Sequence, residues 1–306
     1  MINLSKNNSQ VKNFPLNQTL SSLVNLLRWN KPTGRIILLI PAGWALWLNP
    51  SAPPSNTLVG LIILGGILVS GSGCIANDLW DKNIDSQVSR TKSRPLANGS
   101  LTTATALIAM AVLLFASFQV IFLLPPSSQA LCLKLSAISL LPILLYPSSK
   151  RWFKYPQALL AICWGFAVLI PWAASNSSLN GGVPLITCWM ATMIWTFGFD
   201  TIYAMADKED DDRLGLNSSA LALGPKAFKA VAICYALTSI LIGLSALTKG
   251  INLVFWPIWL LASVGMQREV LSLKASIPAT KGFGRHFKNQ TLLGSLILSG
   301  LILGSL

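Results

Sequence analysis

Residues 57–85, TLVGLIILGGILVSGSGCIANDLWDKNID, run through 21 positions with no charge (57–77) and then place Asp78, Asp81 and Asp85 within eight residues. An uncharged apolar stretch of that length is enough to cross a bilayer as one helix. Carboxylates at such a border are costly to keep, so they point to function. The pattern occurs once more. Residues 183–204 form another apolar run, and DTIYAMADKEDDD (200–212) closes it with Asp200, Asp207, Glu209, Asp210, Asp211 and Asp212. Together the two clusters hold nine of the ten acidic residues in the chain, and only Glu269 lies elsewhere.

The rest of the sequence fits a membrane protein. Of 306 residues, 53% are hydrophobic and 11% are charged, against roughly 25% charged in a soluble domain. Apolar runs at 32–49, 57–77, 101–124, 129–147, 157–174, 183–204, 227–247, 251–266 and 290–306 predict an all-α, polytopic membrane bundle of about nine transmembrane helices. Pro257 predicts a kink in the short eighth run. With the N-terminus inside, 21 of the 23 Lys and Arg residues fall in inner segments, and only Lys134 and Lys249 fall outside. This matches the positive-inside rule and puts both acidic clusters on the cytoplasmic side. Asp78 and Asp200 are 122 positions apart, which suggests two four-helix halves and a ninth helix. Residues 1–27 read as a cytoplasmic tail, partly disordered, with a short interfacial helix near Leu20 to Leu27; residues 28–306 form the membrane domain.

The net charge of +13 sits in short loops between apolar spans. That distribution favours lipid headgroups or a phosphorylated substrate over nucleic acid. No obligate protein partner is evident. The five cysteines all lie in apolar segments and form no CxxC pair, so they read as buried hydrophobes. His286 falls in a basic loop, which argues against histidine-based metal or triad chemistry. Trp29, Trp44, Trp47, Trp152, Trp172 and Trp256 near span ends suggest an interfacial belt. The small residues between Gly65 and Gly73 suggest close helix contacts.

On an α-helix, spacing decides which residues share a face. Asp78, Asp81 and Asp85 lie at i, i+3 and i+7, with Asn77 at the edge of that face. Asp200, Asp207 and Asp211 lie at i, i+7 and i+11, with Tyr203 between and Asp210 at the edge, whereas Glu209 and Asp212 point away. Oxygen-only ligands select a hard cation such as Mg²⁺. Asn77, Asp78, Asp81, Asp85, Asp200, Asp207 and Asp211 are the candidate metal ligands. Two carboxylate arrays with Lys and Arg close by suit a diphosphate.

At these residues the chain resembles the UbiA family of intramembrane prenyltransferases. The family motif NDxxDxxxD is matched by Asn77, Asp78, Asp81 and Asp85, and DxxYAxxDxxDD by Asp200, Tyr203, Ala204, Asp207, Asp210 and Asp211. RWNKPTGRIILLIPAGWALW (28–47), SRTKSRPLANG (89–99) and YPSSKRWFKYPQALL (146–160) are most similar to members that prenylate 4-hydroxybenzoate. The resemblance implies helices around a central cavity, a polyprenyl diphosphate bound through Mg²⁺, an apolar tunnel for its tail, and alkylation of 4-hydroxybenzoate ortho to its hydroxyl. It implies catalytic roles for Asp78, Asp81, Asp200 and Asp207, with Tyr203 and Asp200 orienting or deprotonating the phenol. Diphosphate contacts fall to cations beside the motifs, Arg90, Lys92, Arg94, Lys150 and Arg151, with Arg94 and Arg151 preferred. Asn77 is a second candidate for the diphosphate. Arg28 and Lys31, with Arg35 one turn on, are the candidates for the acceptor's carboxylate. Two other readings stay open: transfer to another aromatic acceptor, such as homogentisate or a naphthoate, and a cation transporter.

Overall fold

The computed structural model describes residues 16–31, 33–275 and 281–306. Residues 1–15, the first half of the predicted tail, lie outside the described residues. Among the described residues all regular structure is helical. The long helices are α1 (Leu16–Leu26), α2 (Thr33–Leu48), α3 (Asn56–Trp80), α4 (Thr103–Leu123), α5 (Pro126–Leu145), α6 (Pro156–Asn176), α7 (Gly182–Ala204), α8 (Ala227–Lys249), α9 (Phe255–Ala275) and α10 (Lys281–Gly304).

Each of the nine apolar runs is thus a helix. Six helical segments, built on α3 to α8, are long and apolar enough to cross a membrane, and α2 is apolar but shorter. α9 and α10 run past their apolar cores into charged sequence: Arg268, Glu269 and Lys274 on one, Arg285, His286 and Lys288 on the other. His286 therefore stands on a helix and is 1% exposed, not in a loop as the sequence suggested. Pro257 also departs from expectation. It is the third residue of α9, where a backbone N–H would have no intrahelical partner, so the ring fits without a kink.

The helices form a closed ring. Each of α3 to α10 packs against its sequence neighbours, and α10 returns to α2. α2 crosses the interior to reach α6 and α7. Helix starts are fixed by side chains: Ser55 accepts from the Leu58 amide at 3.2 Å, and Thr102 from the Thr105 amide at 3.1 Å. The outward face is apolar. On α4, Ile108, Val112 and Phe115 are each more than 60% exposed at i, i+4 and i+7, which in water would be a severe liability and in lipid is the expected finish.

Inside the ring, Trp44, Trp172, Trp195, Phe199, Tyr235 and Phe255 are fully buried in one core. Trp44 and Trp172 are therefore core residues and not part of an interfacial belt; Trp29 and Trp152, 52% and 59% exposed, keep that reading. Of the small residues on α3, Gly66 and Gly71 make the expected close contacts: a Cβ would stand 2.5 Å from Leu39 and 3.1 Å from Leu113 respectively.

Candidate active site

α3 and α7 end at the same end of the bundle, and each delivers one aspartate cluster to a common cavity. α3 stops at Trp80, and a single helical turn, Lys82–Asp85, continues the chain. Asp78, Asp81 and Asp85 are all buried, so the predicted shared face is real and faces inward. α7 ends at Ala204, passes through a 3₁₀ turn at Met205–Asp207, and resumes as Lys208–Arg213. The 3₁₀ turn winds more tightly than an α-helix, so Asp200, Asp207 and Asp211 do not form the straight α-helical line that uniform spacing predicts. Asp211 is nevertheless buried, whereas Glu209 and Asp212 are exposed as expected.

Every carboxylate of the first cluster is paired. Arg28 Nη2 donates to Asp78 Oδ1 at 2.7 Å, and Arg94 Nη1 lies 3.1 Å from the same oxygen and 2.7 Å from Asp85 Oδ2. Lys150 Nζ and Arg151 Nη2 lie 3.5 and 3.3 Å from Asp81. Arg151 also donates to the Trp80 carbonyl at 3.0 Å, tying the 3₁₀ segment Tyr146–Arg151 to the end of α3.

The second cluster is held from across the chain. Arg90 donates through Nε to Asp207 Oδ1 at 2.7 Å, through Nη2 to Asp207 Oδ2, and through Nη1 to the Tyr203 hydroxyl at 3.0 Å. Arg213 pairs with Asp210 at 2.7 Å and donates to the Gln87 carbonyl at 3.0 Å. Asp200 is half-buried.

Asp81 and Asp85 from one cluster and Asp207 and Asp211 from the other line a single cavity of about 20 Å³, with Arg90, Arg94 and Lys150 among its walls. Behind it Asp78 is 0% exposed, and its Oδ2 has no hydrogen-bond partner. These residues fit a hard divalent ion. The donor set is oxygen only, and a buried carboxylate oxygen without a partner lacks the positive charge or N–H it needs. Among the described residues no three acids converge as a ready-made cage. That suits Mg²⁺, which uses one or two carboxylates and completes its shell with water and phosphate oxygens.

Other expected residues are placed as follows. Asn77 is half-buried beside Asp78, and its carbonyl accepts the Asp81 amide at 3.0 Å. Arg28, a candidate for the acceptor's carboxylate, donates to Asp78. It occupies the left-handed position after α1 (φ 58°), where its amide and that of Trp29 bond back to Asn25 and Val24 at 3.1 and 2.9 Å. Lys31 is exposed and, among the described residues, forms no ion pair.

Two features escaped the sequence reading. Arg90 was one cation among five, yet it joins the two clusters across 117 positions. His286, Tyr235 and Glu269 form the other: Tyr235 Oη and His286 Nε2 are 2.7 Å apart, and His286 Nδ1 lies 3.6 Å from Glu269. The next residue, Phe287, packs its ring 5.3 Å from Tyr203 and 5.5 Å from Phe199. The signal was present, since these are the only histidine and the only acid outside the clusters. One to two turns back from Asp200, Phe197 and Ile194 join Ala158, Ile162 and Cys234 around an open apolar cleft of about 280 Å³.

A model described as the UbiA prenyltransferase family matches residues 38–287. The chain is 42% identical over 284 residues to a 4-hydroxybenzoate solanesyltransferase of Synechocystis sp., covering 92% of this chain and 95% of that protein. It is 34% identical over 280 residues to a 4-hydroxybenzoate octaprenyltransferase of Janthinobacterium sp., covering 91% and 95%. Among solved structures, the apo form of a UbiA homolog from Aeropyrum pernix K1 superposes with a TM-score of 0.75 at 24% identity, covering 89% of this chain and 98% of that one. A UbiA homolog from Archaeoglobus fulgidus bound to DMAPP and Mg²⁺ superposes with a TM-score of 0.67 at 16% identity, covering 91% and 99%.

Proposed function

The chain belongs to the UbiA prenyltransferase family, and from that premise we propose that it transfers a polyprenyl group from a polyprenyl diphosphate to the 3-position of 4-hydroxybenzoate, in quinone biosynthesis. The observation that carries this reading is the single cavity lined by Asp81, Asp85, Asp207 and Asp211 together with Arg90, Arg94 and Lys150. Carboxylates and cations facing one another across a small space can hold a metal–diphosphate pair, the carboxylates taking the metal and the cations the phosphate oxygens. The catalytic unit is residues 28–306, embedded in the membrane. The concentration of Lys and Arg at the acidic end supports a cytoplasmic active site, in a bacterial plasma membrane or, in a photosynthetic source, a thylakoid.

Asp78, Asp81, Asp200 and Asp207 are the proposed metal holders, with Asn77, Asp85 and Asp211 completing the set. Mg²⁺ bound there would neutralise charge building on the leaving diphosphate. Arg94, Lys150 and Arg151 are the proposed partners of the remaining diphosphate oxygens, a reading supported by their ion pairs with this cavity's carboxylates. The bond between C1 of the prenyl chain and the diphosphate oxygen breaks, and the ring carbon ortho to the phenol forms the new C–C bond. The ring proton then leaves to restore aromaticity. Tyr203 and Asp200 orient the phenol or accept its proton, and Arg28 and Lys31 are the proposed partners of the acceptor's carboxylate. Phe199 and Phe287, packed edge to face behind Tyr203, keep water from the allylic cation, which water would capture as an alcohol. The long prenyl chain needs an apolar path, and the cleft beside Phe197 is the right chemistry for part of it.

The test is prenyl transfer by purified protein with labelled 4-hydroxybenzoate and a polyprenyl diphosphate, with Mg²⁺ or with EDTA, beside Asp78→Ala and Asp207→Ala. The expected result is a Mg²⁺-dependent 3-polyprenyl product, lost in both variants. Diphosphate release without that product would overturn the acceptor and keep the site. Neither product nor diphosphate release from folded protein would overturn the enzyme reading.

A further inference from the structure

Arg90 follows the first aspartate cluster by five residues, yet its guanidinium is committed to the second. It donates to both oxygens of Asp207 and to the Tyr203 hydroxyl, and its Cζ lies 5.2 Å from the centre of the Tyr203 ring. Its neighbour Thr91 is 3% exposed and donates to the Asp85 carbonyl at 3.1 Å, so the backbone here is fastened to the first cluster. Among the described residues Asp207 is the one carboxylate whose two oxygens are both held by a single side chain. At Asp78, by contrast, Arg28 and Arg94 crowd one oxygen and leave the other without a partner.

A divalent ion approaching Asp207 meets a fixed positive charge at the same two oxygens, and like charges at contact distance oppose each other. A guanidinium fork is equally suited to a phosphate as to a carboxylate. We propose that Arg90 is a positioning residue that couples metal loading to diphosphate loading: it leaves Asp207 when a metal is held there, and the phosphate oxygens are what it leaves for. This inference rests on the diphosphate reading above. Linkage makes the coupling reciprocal, so diphosphate tightens metal binding by the same factor that metal tightens diphosphate binding. Release of Arg90 also frees the Tyr203 hydroxyl, which ties readiness of the phenol-facing group to a loaded site.

The test uses the full chain in lipid nanodiscs, with Mn²⁺ as the metal followed by electron paramagnetic resonance, at buffered free Mn²⁺, with and without inorganic pyrophosphate. Wild type is expected to bind Mn²⁺ weakly alone and about tenfold or more tightly with pyrophosphate. Arg90→Gln is expected to bind Mn²⁺ alone about tenfold more tightly than wild type and to lose most of the pyrophosphate effect. Arg90→Lys, which keeps the charge without the fork, falls between. Tyr203→Phe removes one Arg90 contact and leaves the carboxylates in place, and should raise Mn²⁺ affinity alone by a smaller factor. Unchanged or weakened Mn²⁺ binding in Arg90→Gln would overturn the inference. Tight but independent binding of both ligands by wild type overturns the coupling alone, whereas wild type that takes up neither overturns the diphosphate reading and this inference with it.

Discussion

The two aspartate clusters are alike in sequence and unlike in setting. Asp78, Asp81 and Asp85 are 0%, 2% and 6% exposed, and Arg28, Arg94, Lys150 and Arg151, all from the first half of the chain, pair with them. The Asp207 side chain is 17% exposed, and its partner Arg90 is borrowed from the other half. Among the described residues neither Asp200 nor Asp211 forms an ion pair. The first cluster is therefore the more deeply buried and more heavily paired of the two, whereas in the second Arg90 holds Asp207 and no cation pairs with Asp200 or Asp211 among the described residues. A buried charge network resists loss of a member because the others are left uncompensated, whereas a shallower pair is screened by water.

Removing one carboxylate from each cluster should break the symmetry most visibly. Asp78→Ala is expected to abolish transfer and to destabilise the protein by about 3 kcal/mol or more, since Arg28 and Arg94 would face each other without it. Asp207→Ala is expected to abolish transfer with a smaller loss of stability than Asp78→Ala, because this pair is shallower. Thermal unfolding in detergent beside product formation separates the two, and equal destabilisation would erase the distinction. A smaller effect should come from behind the second cluster. Tyr235→Phe removes the hydroxyl from His286, at a cost of about 1 kcal/mol. Because His286 precedes the ring that backs Tyr203, turnover should fall while Mn²⁺ binding stays as in wild type. Least of all, Glu209→Gln and Asp212→Asn should leave stability within about 0.5 kcal/mol and transfer within about twofold. A large loss from either exposed acid would mean that the second cluster is wider than its buried members.

The helices and the first cluster were legible because both follow from local rules. Apolar length sets a span, and a 3.6-residue period puts Asp78, Asp81 and Asp85 on one face. Rules of that kind stop where the helix does. The 3₁₀ turn at Met205–Asp207 changes the angular step between Asp200 and Asp211, and no apolar pattern announces it. Arg90 was harder still, because its partner lies 117 positions away and loop-to-loop contacts have no period. His286 was misplaced for a related reason: α10 begins among charged residues, which read as loop until the helix is seen to bury one of them. Trp44 and Trp172 were misread because nearness to a span end says nothing about whether a side chain faces lipid or core.

The cavity between the clusters, about 20 Å³, has room for roughly one water molecule. A diphosphate headgroup entering there has to displace the ion pairs that now fill the space, that of Arg90 with Asp207 among them. If the breaking and remaking of those pairs is slow beside bond breaking at the prenyl carbon, turnover will fall as solvent viscosity rises.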